Sequence, residues 1–113
     1  MAALADRGPL PTAFDARIDG ARIPEPIAIT TYYVVTEALT NVAKHAGAAR
    51  ARVGLTASDG RLTVRVLDDG AGGADPEGGG LSGVRDRVAT VDGELRLVSP
   101  PGGGTVVEVR LPL

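Results

Sequence analysis

From residue 49 to residue 66 the chain keeps a period of two. Ala49, Ala51, Val53 and Leu55 alternate with Arg50 and Arg52, and after Asp59-Gly60 the alternation resumes with Leu62, Val64 and Val66. Successive side chains of a strand point to opposite faces, so each run carries one apolar face and one wet face. Asp-Gly between two such runs is a strong short-range hairpin signal. A lone hairpin with one greasy face is marginal in water, so the rest of the chain must supply more strands and a cover.

Two segments have the right pattern to cover it. In "IPEPIAITTYYVVTEALTNVAKHAG", Pro26 suits the first turn of a helix and Gly47 suits the position just past its end. Val34, Val35, Ala38, Leu39, Val42 and Ala46 form a wide apolar stripe along it. The predicted helix has about 20 residues and is about 30 Å long. Leu81, Val84, Val88 and Val91 repeat the helical spacing and stop at Gly93. Ahead of the first helix, Phe14, Ala16 and Ile18 alternate with Asp15 and Arg17; after the second, "ELRLVS" and "TVVEVRLPL" flank the turn "PPGGG".

The order is therefore strand, helix, two strands, helix, two strands. Hairpins at both pairs imply a mixed, mostly antiparallel sheet, and two amphipathic helices can cover only one of its faces. The fold class is a two-layer α/β (α+β) sandwich. Residues 1–12 are small, Pro-containing and aperiodic, which reads as a linker remnant or frayed N-terminus and leaves 13–113 as one domain.

Composition removes several functions. A net charge of -2 with scattered arginines lacks the basic footprint of nucleic-acid binding. With no cysteine there is no disulfide staple, thiolate metal site or cysteine nucleophile, and a reducing compartment fits. No apolar run approaches the roughly 18 residues of a membrane span, and the N-terminus lacks a signal-peptide layout. As it stands the chain is expected to be cytoplasmic, any membrane anchor belonging to a longer protein.

The chemistry gathers in "LDDGAGGADPEGGGLSG", between the second hairpin strand and the second helix. "GGGLSG" satisfies G-x-G-x-x-G, but the dinucleotide fingerprint follows directly on a strand and this match follows a loop. A Walker A loop needs Gly-Lys-Ser/Thr, and the sole lysine, Lys44, is elsewhere. An EF-hand would need a different oxygen-ligand spacing. What remains is general physics: glycines let backbone N–H groups approach an anion, and a helix beginning near Leu81 adds its partial positive charge, so phosphate is a natural guest. Asp68 ends an otherwise apolar strand, where a carboxylate needs a partner. On the first helix, Glu37 and Asn41 lie one turn apart, with Lys44 and His45 a further turn along the same face.

Four stretches together resemble a known family. "EALTNVAKHAGA" resembles the N box of sensor histidine kinases, "DDGAG" the D-x-G-x-G of the G1 box, "GGGLSGVRDRV" the G2 box, and "PPGGGTVVEVRLP" the closing G-x-G-T strand. The wording is similar to the nitrate-sensor and Des-type subfamily, and departs from it at Gly79, where that subfamily often has His. The resemblance implies the ATP-binding catalytic domain of a two-component kinase, on the Bergerat fold shared with gyrase, Hsp90 and MutL. It implies that Asn41 coordinates Mg²⁺, that Lys44 contacts the ATP phosphates, and that Asp68 accepts a hydrogen bond from the adenine 6-amino group. Gly70 and Gly72 would let the chain turn beneath the base. Gly80, Leu81 and Gly83 would offer amides to the phosphates, and Thr105 would complete the adenine pocket. Glu37 would order Mg²⁺-bound water and His45 would lie beside the ribose and phosphates. The phosphoacceptor histidine is expected on a helical dimerisation domain upstream, with a response regulator downstream. An anti-sigma-factor serine kinase and a non-catalytic ATP-binding module of the same fold are the alternatives.

Overall fold

Seven elements follow one another in the order the patterning implies: β1 (Thr12–Arg17), α1 (Glu25–Asn41), β2 (Ala51–Ser58), β3 (Arg61–Asp68), α2 (Gly79–Ala89), β4 (Glu94–Val98) and β5 (Thr105–Pro112). The computed structural model describes residues 12–43, 50–70, 72 and 79–113. The expected linker at 1–11, the helix end at Gly47 and most of the glycine-rich stretch lie outside the described residues.

The strands form one five-stranded sheet in the order β1-β2-β3-β5-β4. β1 and β2 are parallel, and the remaining pairs are antiparallel. This is the mixed, mostly antiparallel sheet expected. The parallel pair arises because α1 carries the chain back between β1 and β2, as a parallel connection requires. At the β2–β3 turn Asp59 has φ 55° and Gly60 φ 73°. Two consecutive left-handed residues make the primed turn whose twist matches a hairpin, and Ser58 faces Arg61 across it.

Alternation then sorts the sheet into two faces. Val53, Leu62, Val64, Val66, Val107, Val109 and Leu111 are buried beneath the helices. α1 lays Ile27, Thr30, Thr31, Val34, Val35 and Ala38 into the same core, and α2 adds Leu81, Val84 and Val88. Thr30 and Thr31 can be buried because their hydroxyls donate to the carbonyls of Pro26 and Ile27, each at 2.8 Å. Ala16, at an inward position, is exposed, since neither helix packs closely on the edge strand β1. The outer face carries Arg52, Arg61, Arg65, Arg96 and Arg110; Glu108 pairs with Arg65 at 3.9 Å and Arg110 at 3.1 Å, exposed contacts of small energetic weight.

The two helices run antiparallel. Arg87 of α2 lies 5.5 Å from the centroid of the Tyr33 ring of α1. A groove of about 380 Å³ near the start of α1 is lined by Glu25, Pro26 and Ile29 together with Arg87, Thr90 and Val91. With the start of α1 beside the end of α2, the end of α1 and the start of α2 meet at the opposite end of the layer. That is the end of the sheet where β3 finishes and β5 begins.

Candidate functional site

Asp68 closes β3, and the register pairs it with Ala51 on one side and Thr105 on the other. It follows Leu62, Val64 and Val66 on the helix-facing side of the strand, so its carboxylate is half-buried at the mouth of the interlayer space. Oδ1 accepts a hydrogen bond from the Gly70 amide at 2.7 Å. Burial pushes the carboxyl above its ordinary value, the Gly70 amide pulls it back, and the neighbouring charge of Asp69 adds to the rise. A carboxylate so placed has acceptor capacity left for a donor entering from the mouth.

Thr105 is buried beside it, with 6% of its surface exposed. Its hydroxyl lies 2.6 Å from that of Ser99, and Ser99 Oγ also donates to the Gly104 carbonyl at 3.5 Å. The strand can start here only because residue 104 is glycine. Gly104 has φ 73°, and a Cβ on it would overlap the Asp68 carbonyl. Its amide donates to the Gly70 carbonyl at 3.1 Å, tying the segment after β3 to the segment before β5. Gly72 also has positive φ, and a Cβ there would overlap the Pro100 carbonyl. Glycine at 72 is thus demanded by close backbone packing against the β4–β5 connection.

The opposite wall comes from the helices. Glu37 and Asn41 are half-exposed on the last turns of α1, and beyond Asn41 the helix widens into a π-type turn at Val42 and Ala43. Neither Glu37 nor Asn41 has a hydrogen-bond or ion-pair partner among the described residues. Lys44 and His45, expected on the same face, lie outside the described residues. Gly80 and Leu81 stand in the first turn of α2, where backbone N–H groups have no partner within the helix. Gly83 sits one turn further in, beyond those open amides. The neighbouring helix comes close at position 83: a Cβ would stand 2.9 Å from the Tyr33 hydroxyl, the tip of a side chain that would have to give way.

The site therefore gathers Asp68, Gly70, Gly72 and Thr105 with the end of α1 and the first turn of α2. Sequence patterning did not single out Ser99, Gly104 or Tyr33. Ser99 and Gly104 acquire meaning only through the β3–β5 register, which joins segments more than thirty residues apart in sequence. Gly104 was nonetheless visible inside G-x-G-T. A second cavity, of about 580 Å³, is lined by Ala13, Arg52 and Leu67 with the strand ends Arg50, Asp68 and Asp69. Its lining alternates between the row Ala13, Arg52 and Leu67 and the row Thr12, Ala51 and Asp68, so it lies at the strand ends of β1, β2 and β3.

Comparison with known proteins agrees with this geometry. Residues 27–113 match the family described as "Histidine kinase-, DNA gyrase B-, and HSP90-like ATPase". Over 101 residues, 87% of the chain, it is 37% identical to the signal transduction histidine-protein kinase/phosphatase UhpB of Salmonella typhimurium, covering 20% of that protein. Over 100 residues, 84% of the chain, it is 34% identical to the nitrate/nitrite sensor protein NarQ of Escherichia coli, covering 18% of it. The chain thus spans about a fifth of the length of these relatives. Among solved structures, the histidine kinase domain of the blue-light activated histidine kinase from Erythrobacter litoralis superposes with a TM-score of 0.73 at 31% identity, over 99% of this chain and 57% of that one. The Acinetobacter baumannii histidine kinase AdeS shares the fold, with a TM-score of 0.76 at 13% identity over 98% of this chain and 58% of that one. A carboxylate at the end of a central strand, a glycine-bound strand start beside it and an open helix N-terminus, set in this sandwich and matched over most of its length, make the chain a member of the histidine kinase, DNA gyrase B and HSP90-like ATPase family.

Proposed function

We propose that residues 13–113 are the ATP-binding catalytic domain of a two-component sensor kinase. It binds Mg²⁺-ATP and delivers the γ-phosphoryl group to a histidine on a separate helical dimerisation domain, from which a response regulator is served. The observation that carries this reading is Asp68: a half-buried carboxylate with one oxygen on the Gly70 amide, beside a buried threonine, at the mouth between the layers. The adenine 6-amino group supplies the donor it lacks. Guanine would bring its O6 acceptor against the carboxylate and be refused.

Each remaining residue has a chemical task in this reading. Gly70 and Gly72 carry the chain beneath the base. The open amides of Gly80 and Leu81 receive phosphate oxygens at the start of α2. Gly83 supports that turn by letting α1 approach, and in the family pattern it too serves the phosphates. Lys44 adds charge opposite the phosphates, and His45 lies beside the ribose. Among the described residues no group of three His, Cys, Asp or Glu side chains could hold a metal ion. Mg²⁺ commonly takes one or two protein ligands and fills its shell with phosphates and water. Asn41 would give it an amide oxygen, and Glu37 would orient a bound water. When bound, the metal neutralises phosphate charge; the chain itself positions, which is most of what phosphoryl transfer asks of a protein. No described helix is long and apolar enough to cross a membrane. As a consumer of ATP, the domain would work in the cytoplasm.

The test is calorimetric titration with ATP and with GTP, followed by incubation with γ-labelled ATP and the separately produced dimerisation domain of the same kinase. ATP should bind more tightly than GTP, and label should pass to a histidine of the added domain. Label arriving on a serine would replace this reading with the serine-kinase one.

A further inference from the structure

Arginines scattered through the sequence come together on the outer face of the sheet, the one opposite the helices. On β2, β3, β5 and β4 that face carries Arg52, Arg61, Arg65, Arg96 and Arg110 against two carboxylates, Glu94 and Glu108, in a chain whose net charge is -2. Glu108 is already engaged: its side chain is 18% exposed and pairs with both Arg65 and Arg110. Arg52, Arg61 and Arg96 are exposed and have no ion-pair partner among the described residues.

The same face holds an apolar row. The register sets Val98 beside Val106, Val106 beside Leu67 and Leu67 beside Arg52, across four neighbouring strands. Val98 is 46% exposed on the edge strand, and Val106 and Leu67 are half-buried. Arg96 and Arg65 stand in the next row, two residues along their strands from Val98 and Leu67. An apolar strip with arginines at its end and along its side has the make-up of a protein-binding patch, in which Arg is enriched.

We propose that this open face docks an acidic protein surface, with apolar side chains laid on Val98, Val106 and Leu67 and carboxylates meeting Arg52 and Arg96. Guanidinium groups take carboxylates two oxygens at a time, and the excess of positive charge steers such a partner in. Arg52 and Arg96 are three strand spacings apart, about 15 Å, a separation that one small anion does not span. Membrane headgroups and duplex nucleic acid fit less well, because a continuous layer of negative charge pressed onto this face would set Glu94 and Glu108 against like charge. A partner held here lies across the sheet from the helices and leaves the mouth between the layers open, so the inference does not depend on what the mouth binds.

Fluorescence titration at about 0.15 M salt with three probes tests it: the random copolymer of glutamate and tyrosine, poly-L-glutamate, and phosphatidylserine vesicles. Wild type should bind the copolymer most tightly. Arg52→Gln/Arg96→Gln should weaken copolymer binding roughly fourfold, an exposed ion pair being worth a factor of about two. Arg22→Gln/Arg61→Gln makes the same change in net charge at one position outside the sheet and one about 20 Å along β3 from Leu67, and should weaken binding distinctly less. Val98→Ser should weaken the copolymer and leave poly-L-glutamate unchanged. All these side chains are exposed, and the variants should melt with wild type. Equal losses in the two arginine pairs would reduce the effect to net charge and overturn the inference. Vesicles bound as tightly as the copolymer, or a copolymer that wild type does not bind, would overturn it as well.

Discussion

Two residues at the mouth of the site make opposite demands. Asp68 places a charge where burial disfavours it, and its raised pKa has a sign that can be followed. The folded state holds the proton more tightly than the unfolded chain. The contribution of Asp68 to stability is therefore greatest below the ordinary carboxylate value of 3.8 and is lost as pH rises through its raised folded value. Asp68→Asn should melt no lower than wild type at neutral pH without nucleotide, and its relative advantage should shrink as the pH falls through the carboxylate range. The same variant should lose ATP affinity about ten- to a hundredfold, as expected for a hydrogen bond to a charged group. Thermal melts across pH and calorimetry would read the two effects; a neutral-pH melt well below wild type would show that the carboxylate stabilises the fold instead. Gly104 is the reverse case, a residue whose value is what it lacks. Gly102 has φ 77° with open space around it, while Gly104 has φ 73° against the Asp68 carbonyl. Asn tolerates left-handed backbone, so Gly102→Asn should cost under about 1 kcal/mol and Gly104→Asn distinctly more in urea denaturation. Equal costs would mean that backbone conformation alone, and not the close approach, selects glycine at 104.

The elements were legible wherever one period ran unbroken. Val34, Val35 and Ala38 lie in the core as the stripe implied, and so do Leu81, Val84 and Val88. Where the sequence carries no period the reading stopped short. Nothing in "GGGLSG" distinguishes a glycine that frees an amide from one that admits a neighbouring helix, and only the packing of α1 on α2 separates Gly83 from Gly80. That separation is testable. Ala is a better helix former than Gly by about 1 kcal/mol, but at position 83 its Cβ would stand 2.9 Å from the Tyr33 hydroxyl. Gly83→Ala should therefore gain little or lose stability alone, and should stabilise by about 0.5 to 1 kcal/mol in a Tyr33→Phe background, where the hydroxyl is gone. Ala keeps the backbone amide, so ATP affinity should change little in either background. A large loss of ATP affinity with unaltered stability would instead tie position 83 directly to the phosphates.

Taken whole, the chain gathers its proposed site residues where the two layers part, and this was the least legible part of the sequence. Both hairpins could be read locally. That β5 inserts between β3 and β4, bringing Thr105 beside Asp68, depends on a pairing between distant segments that alternation alone does not specify. The motifs of the resemblance named the residues on both walls without giving the distance between them. If those walls close on one ligand, binding must stabilise the entire fold, because a nucleotide at one hundred times its Kd adds about 2.7 kcal/mol to the stability of a two-state domain. Asn41 decides whether Mg²⁺ shares in that gain. It ends α1, half-exposed, and its loss leaves the core intact. Asn41→Ala should melt at or slightly above the wild-type temperature without nucleotide, Ala being the better helix former. With ATP, Mg²⁺ should raise the melting temperature of wild type well beyond what ATP achieves in chelator, and this increment should largely vanish in Asn41→Ala. Lys44→Ala should weaken the triphosphate more than AMP while keeping the Mg²⁺ increment, because it removes charge and not a metal ligand. Melting each protein with ATP, first with Mg²⁺ and then with chelator, makes the comparison. If Asn41→Ala keeps the full increment, the metal is held by the phosphates and water alone, and the polar end of α1 is a solvated helix face.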